Sequence, residues 1–305
     1  MTRGSTARHA PVAPASGTWG SERLDLGAYL RRIGHRGAVG ADVATLRALH
    51  RAHVSTIPFE NLDILLGRPI DLDVASLQAK LVTAGRGGYC HEHGGLFAAV
   101  LEHVGLSFVA MSARATFGDD APRPTTHMCL RVFLDGQWWL ADVGLGADGL
   151  LEPIPFADGA VATASGGSAR FRLRERAPGC WALESSRAEG WLELYHFTLE
   201  ARLPIDYRVF TWYTSTHPRS PFISRVIAQR VVADDDRRFL VGNRLTRVGR
   251  AWQAETQEIM PSDLGEILRR DIGIVLDPDE LDALGRYVVA APLSGRSAGD
   301  LGPPR

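Results

Sequence analysis

The chain has 305 residues, with 34 Lys and Arg against 35 Asp and Glu, a formal net charge of −1, and 45% hydrophobic and 23% charged residues. That balance belongs to a folded globular protein and supplies no basic surplus for nucleic acid or an anionic membrane surface. Three cysteines, Cys90, Cys129 and Cys180, are too few for a disulfide framework, which points to a reducing cytoplasm, and no apolar run reaches the roughly 18 residues of a membrane span.

Residues 1–20 are rich in Ala, Pro, Ser, Thr and Gly and lack the apolar core of a signal peptide, so a disordered tail is expected there. A chain of this length exceeds a single core, which predicts packed units. The first, over 21–105, reads as helical. Asp25 is placed to cap a helix through Ile33, and Asp42 to cap a second whose apolar positions Val43, Leu46 and Leu49 recur at helical spacing until Pro58. Leu77, Leu81 and Val82 suggest a third helix, stopped by the glycines at 85–88. A fourth runs from His91 to His103 with an apolar stripe at Leu96, Phe97, Val100, Leu101 and Val104, ended by Gly105. Gly94 and Gly95 within it are poor helix formers, and close approach of another backbone would account for them.

The second unit, 106–200, reads as strands: Phe108–Ala115, His127–Leu134, Gln137–Val143, Ala169–Arg174 and Cys180–Leu183. The third, 201–292, is mixed. Tyr207–Thr216, Ile223–Val232, Phe239–Val241, Leu245–Val248 and Ala251–Glu258 suggest strands, and Ser262 and Asp277 suggest caps of two closing helices. A second disordered tail is expected over 293–305. The fold class is α+β.

The chemistry centres on Arg86-Gly87-Gly88-Tyr89-Cys90. A thiol at a helix N-terminus feels the positive end of the helix dipole, which favours thiolate. The Asp135-Gly136 turn pairs Leu134 with Gln137 if it has two residues. Counting outward, Cys129 then faces Asp142, and His127 and Asp142 become diagonal neighbours on one face, roughly 7–8 Å apart at the backbone. The opposite face carries Met128, Leu130, Val132, Trp139, Ala141 and Val143, which makes it the core side. Cys90, His127 and Asp142 then supply a nucleophile, a base and an orienting carboxylate. A metal site built from Cys90, His91, His93 and His103 fits neither an HExxH pair nor a paired CxxC spacing, so no metal is expected.

Six segments, in order, resemble the signatures of the arylamine N-acetyltransferase family: Ile57–Leu62, Arg86–Cys90, Thr126-His127, Asp142–Gly146, Leu194–Phe197 and Trp212–Pro218. The resemblance covers roughly Leu24 to Val288. It implies a helical domain carrying the cysteine, an antiparallel β-barrel carrying His and Asp, and an α/β lid, in a cysteine-proteinase-like arrangement. It also implies acetyl-CoA as co-substrate, no permanently bound cofactor, and small-molecule arylamines or arylhydrazines as acceptors. Carried over by residue, Glu60 and Arg86 form an ion pair under the cysteine loop. Phe59, Leu145 and Phe222 line the acceptor pocket, and Thr126, Gly144 and Gly146 lie near the coenzyme. The chain departs from the family pattern at His91-Glu92-His93-Gly94, where an aromatic residue usually follows the cysteine and Asn closes the motif. It departs again at Leu145, where Phe is usual. Related amide synthases use the same triad to release a polyketide chain from an acyl carrier protein, and Leu145 and Gly94 would open room for a larger acyl group. A thiol hydrolase and a non-catalytic binding module are the remaining alternatives.

Overall fold

The computed structural model of the chain describes residues 17–119, 121–163, 169–233, 235–249 and 252–289. The expected tails over 1–16 and 293–305 lie outside them, as does Ala251 at the start of one expected strand. Residues 17–20, assigned to the tail, belong to the folded body. Trp19 is buried against Phe108 and Tyr207, with ring centroids at 5.8 and 6.1 Å, and its backbone N–H donates to the Glu102 carboxylate.

The helical unit follows its caps. Asp25 Oδ1 accepts the Ala28 N–H at 2.8 Å and opens α1 (Leu26–Arg32). Asp42 Oδ1 accepts the Thr45 N–H at 2.7 Å and opens α2 (Val43–Thr56), which stops at Ile57 because Pro58 disfavours helical geometry in the residue before it. Then come β1 (Phe59–Glu60), α3 (Leu62–Leu65) and α4 (Val74–Leu77), the last widening into a π turn over Gln78–Thr83. Helix α5 (Cys90–Val104) ends at Gly105 in the left-handed region, φ 82°. It is buried along nearly its whole length, so it forms the axis of the first core rather than a surface element.

Among the described residues the strands form two antiparallel sheets. The larger has β2 (Ser107–Ala115), β3 (His127–Leu134), β4 (Gln137–Ala141), β5 (Ile154–Pro155), β6 (Val161–Thr163), β7 (Arg170–Ala177), β8 (Cys180–Arg187) and β9 (Gly190–Ala201), in the order β5-β4-β3-β2-β9-β8-β7-β6. Its outer strands β5 and β6 come back into contact, so the sheet nearly closes into a barrel. Leu134 pairs with Gln137 and Leu130 with Ala141, the register that a two-residue turn at Asp135-Gly136 demands. Met128, Leu130, Val132, Trp139, Ala141 and Val143 all fall in the core shared with the helices, while Cys129 and Leu140 face the barrel interior.

The third unit differs from its expected reading most sharply at one element. Tyr207–Thr216 is not a strand but most of a helix, α6 (Pro204–Thr216). Pro204 occupies a first-turn position, and Asp206 Oδ2 accepts the Leu203 N–H at 2.8 Å, both start signals. The aromatic and β-branched composition favours strand, but Tyr207, Thr211 and Thr214 are the buried side chains, and that spacing is helical. Strand β10 (Ile227–Ala233) starts later than expected, after a 3₁₀ turn at Pro221–Ile223. It joins β11 (Asp236–Val241), β12 (Arg244–Val248) and β13 (Ala254–Glu258). Helices α7 (Leu264–Ile267) and α8 (Pro278–Gly285) close the unit. Asp277 caps α8 as expected, whereas Ser262 caps nothing: the turn before α7 is held by the Met260 N–H donating to Asp263 Oδ2 at 2.8 Å.

The smaller sheet runs β1-β10-β11-β12-β13, so its edge strand β1 comes from the helical unit. Phe59 pairs with Gln229 on one side and bridges Gly88 on the other. This strand therefore stitches the third unit directly to the loop preceding Cys90. Among the described residues no helix is long and apolar enough to cross a membrane.

Candidate active site

Cys90 is the first residue of α5, at the floor of a cavity of about 490 Å³. Two glycines precede it for steric reasons. A Cβ on Gly87 would overlap the Pro58 carbonyl, and one on Gly88 would lie 2.7 Å from Glu92 Oε2. That same Glu92 oxygen accepts the Tyr89 N–H at 3.0 Å and fixes the turn into the helix.

The loop rests on a buried ion network. Arg86 Nη2 lies 2.9 Å from Glu60 Oε1 and 3.3 Å from Asp63 Oδ1. Lys80 Nζ lies 2.8 Å from Asp63 and 2.7 Å from Glu92. Glu60 also accepts the Leu62 N–H at 2.6 Å. Burial pushes the Glu92 carboxyl up to about 7 against the pull of Lys80. The Glu60–Arg86 contact was legible in the motifs. Lys80, Asp63 and Glu92 were not singled out, because nothing in their spacing shows that three segments converge.

The base side comes from the β3–β4 hairpin. His127 Nε2 donates to Asp142 Oδ2 at 2.7 Å, which leaves the other ring nitrogen for the Cys90 thiol. Asp142 Oδ1 accepts the Gly144 N–H at 2.9 Å. The Asp142 N–H donates to His50 Nε2 at 3.1 Å, and His50 Nδ1 donates to the Leu151 carbonyl at 3.1 Å, so a buried neutral imidazole backs the carboxylate. Burial holds His50 down at about 4, consistent with that neutral form. The Tyr195 ring packs on His127 with centroids 5.0 Å apart.

The electrostatics follow from this line. Burial alone would raise the Cys90 thiol, but His91 and His127 outweigh it and bring it down to about 6. Burial would lower His127, yet the carboxylate of Asp142 and the Cys90 sulfur lift it to about 10. Burial would raise Asp142, and the facing imidazole holds it below the usual carboxylate range instead. The arrangement therefore favours a thiolate–imidazolium pair at neutral pH.

Phe59, Thr126, Gly144, Leu145 and Phe222 all line the cavity with Cys90 and His127, and the Phe59 and Phe222 rings sit 6.1 Å apart. Gly146 does not line it: at φ 77° it packs against Gln229, and a Cβ there would overlap the amide oxygen. Gly144 has a steric reason of its own, since a Cβ would lie 2.9 Å from the Cα and carbonyl oxygen of Cys90. Gly94 faces Met128 Sδ, at 2.6 Å from its would-be Cβ, so a side chain and not another backbone explains it, and it opens no room in the cavity. Helix α6 places Tyr213 and Thr214 on the cavity wall, and the turn after it adds Pro218, Ser220 and Pro221. Of the four residues weighed as a metal site, His93 bonds His53 and the Pro58 carbonyl, and His103 bonds Ser21 at the far end of α5, away from Cys90 and His91.

A thiol, an imidazole and a carboxylate drawn together beneath a cavity with aromatic walls, on helices, a nearly closed barrel and a second sheet, fit an acyltransferase. Residues 42–281 match the family model described as N-acetyltransferase, and the chain belongs to the arylamine N-acetyltransferase family. It is 38% identical over 268 residues to the arylamine N-acetyltransferase of Mycolicibacterium smegmatis, covering 82% of this chain and 96% of that one. The solved arylamine N-acetyltransferase of Nocardia farcinica superposes with a TM-score of 0.84 at 39% identity, over 89% of this chain and 98% of its own. The Mycobacterium marinum enzyme, solved in complex with CoA, superposes with a TM-score of 0.80 at 34% identity, over 86% of this chain and 99% of its own.

Proposed function

We propose that this enzyme moves an acetyl group from acetyl-CoA to an arylamine or arylhydrazine nitrogen through an acetyl-Cys90 intermediate. The observation that carries the reading is the continuous line from the Cys90 thiol through His127 to Asp142, opening on an aromatic-walled cavity.

In the first half-reaction the Cys90 thiolate attacks the acetyl carbonyl. A C–S bond to Cys90 forms, and the tetrahedral intermediate collapses with loss of the coenzyme thiolate. The His127 imidazolium protonates that leaving group and becomes neutral. In the second half-reaction the amine nitrogen attacks the acetyl-Cys90 carbonyl. Neutral His127 takes the amine proton, and the Cys90 thiolate departs, which restores the ion pair. Asp142 holds the imidazole in the tautomer that presents a lone pair to sulfur or nitrogen and stabilises its charged form. The start of α5 places a positive dipole end near the developing oxyanion. Phe59 and Phe222 offer the acceptor ring two aromatic faces. Thr126 and Gly144 line the cavity beside Cys90, which supports reading them as residues near the coenzyme.

Steady-state kinetics test the scheme. With acetyl-CoA and a simple arylamine varied together, double-reciprocal plots are expected to be parallel, because coenzyme leaves before amine binds. Intersecting lines, or turnover only with a carrier-bound long-chain thioester, would replace this reading with direct transfer or with an amide synthase.

A further inference from the structure

The residue after the nucleophile is tied to the residue before the base. His91 Nε2 lies 2.7 Å from the Thr126 carbonyl oxygen, and His91 Nδ1 lies 2.9 Å from Thr211 Oγ1 on α6. A carbonyl only accepts, so Nε2 carries the proton, and in the neutral ring Nδ1 accepts from the Thr211 hydroxyl. The ring is buried and enclosed by Tyr89, Tyr207 and Phe210, with centroids at 5.3, 5.6 and 6.3 Å. One imidazole thus clamps the start of α5, the start of β3 and the middle of α6.

We infer that His91 is a positioning residue of the acyl-transfer site, setting the Cys90–His127 approach and satisfying the carbonyl that faces the reactive sulfur. Cys90 Sγ lies 3.6 Å from that same Thr126 oxygen. When the thiol ionises, it turns from a weak donor into an anion facing a carbonyl oxygen. The His91 N–H on that oxygen offsets the repulsion. Without it, a carbonyl would be left underpaired beside the thiolate, which disfavours ionisation. The titratable groups around the ring are Tyr89 and Cys90 beside it, His127 on β3 and Tyr207 on α6; Glu22, Arg23, Asp73 and Arg208 line the small cavity behind it. The inference rests on the acetyl-Cys90 reading for its catalytic meaning, but its geometry is testable without acetyl-CoA.

The experiment follows iodoacetamide alkylation of Cys90 against pH, alongside single-turnover acetylation, in the wild type, His91→Phe, His91→Gln and Thr211→Val. His91→Phe is expected to move the alkylation midpoint up by about one unit and to slow neutral-pH acetylation about tenfold. His91→Gln keeps one N–H for Thr126 and is expected to recover most of both, and Thr211→Val to move the midpoint in the same direction by less. An unchanged midpoint in His91→Phe, or His91→Gln no better than Phe, overturns the inference. If His91→Phe fails to fold, unchanged midpoints in both His91→Gln and Thr211→Val overturn it as well. A low wild-type midpoint without acetylation would sink the acetyl-transfer reading and leave the clamp standing.

Discussion

His127 Nε2 lies 2.7 Å from Asp142 Oδ2, across a strand pair whose register is fixed by the turn at Asp135-Gly136. Shifting that register by one residue would send the two side chains to opposite faces. Asp142→Asn keeps the shape but offers an NH2 group where the carboxylate accepted the ring N–H, so Nε2 must accept and the nitrogen facing sulfur carries the proton instead of a lone pair. Acylation is expected to fall by about 10²- to 10⁴-fold with little loss of melting temperature. Rapid-quench measurement of acetyl-enzyme formation reads the effect; a drop under tenfold in a folded variant would remove Asp142 from the relay.

The pH dependence follows from the two opposed shifts. Cys90 is brought down to about 6, so thiolate is present above that pH. His127 is lifted to about 10, so its proton, needed by the leaving coenzyme, is lost above that pH. The acylation rate is expected to rise through about 6, stay level, and fall toward about 10, the two limbs belonging to the coupled pair. A rising limb near the ordinary thiol value of about 8.5 would show that no ion pair forms.

The ion network under the loop makes a stability prediction. Glu60→Gln removes the nearer of the two carboxylates that hold buried Arg86 and leaves it with Asp63 alone. Breaking a buried pair outright costs about 3–5 kcal/mol, so with Asp63 retained a loss of about 2–3 kcal/mol is expected. Urea unfolding is expected to show that loss, and Glu60→Gln combined with Arg86→Met to lose less than the sum of the single variants. Strict additivity would mean that the two residues act independently.

Gly144→Ala tests packing against coenzyme contact. Its Cβ would press on the Cys90 Cα and carbonyl at 2.9 Å. The nucleophile must shift, so alkylation by iodoacetamide, which needs no coenzyme, is expected to slow about tenfold or more, with a stability loss of about 1–3 kcal/mol. Normal alkylation with a raised KM for acetyl-CoA would show that Gly144 serves the coenzyme alone.

What the sequence revealed and what it hid have physical explanations. Caps at Asp25, Asp42 and Asp277 are local: a side chain bonds a backbone N–H three residues on, and the sequence shows both partners. The hairpin register is equally local, because Asp135 and Gly136 determine the turn and alternation does the rest. Helix α6 was misread because its buried face carries threonines, while Leu203, Ile205, Val209 and Trp212 lie exposed around it. Strand β9 was not among the expected strands: its first half mixes buried and half-buried residues and its last four residues are exposed, so no clean alternation marks it. Lys80, Asp63 and Glu92 converge from three segments, and His91 reaches partners 35 and 120 positions away. No periodicity reports such convergence. Gly94 looked like substrate space, but it makes way for the Met128 side chain; Gly144 lines the cavity and also makes way for the Cys90 backbone, a contact that the motif alone does not report.

The most direct test of acyl transfer through Cys90 is the intact mass of the reduced protein after incubation with acetyl-CoA alone. The wild type is expected to gain one acetyl group, mapped to Cys90, and to lose it on addition of an arylamine, while Cys90→Ala gains none. A folded, reduced wild type that stays unmodified, or an acetyl group found on any other residue, would contradict the account.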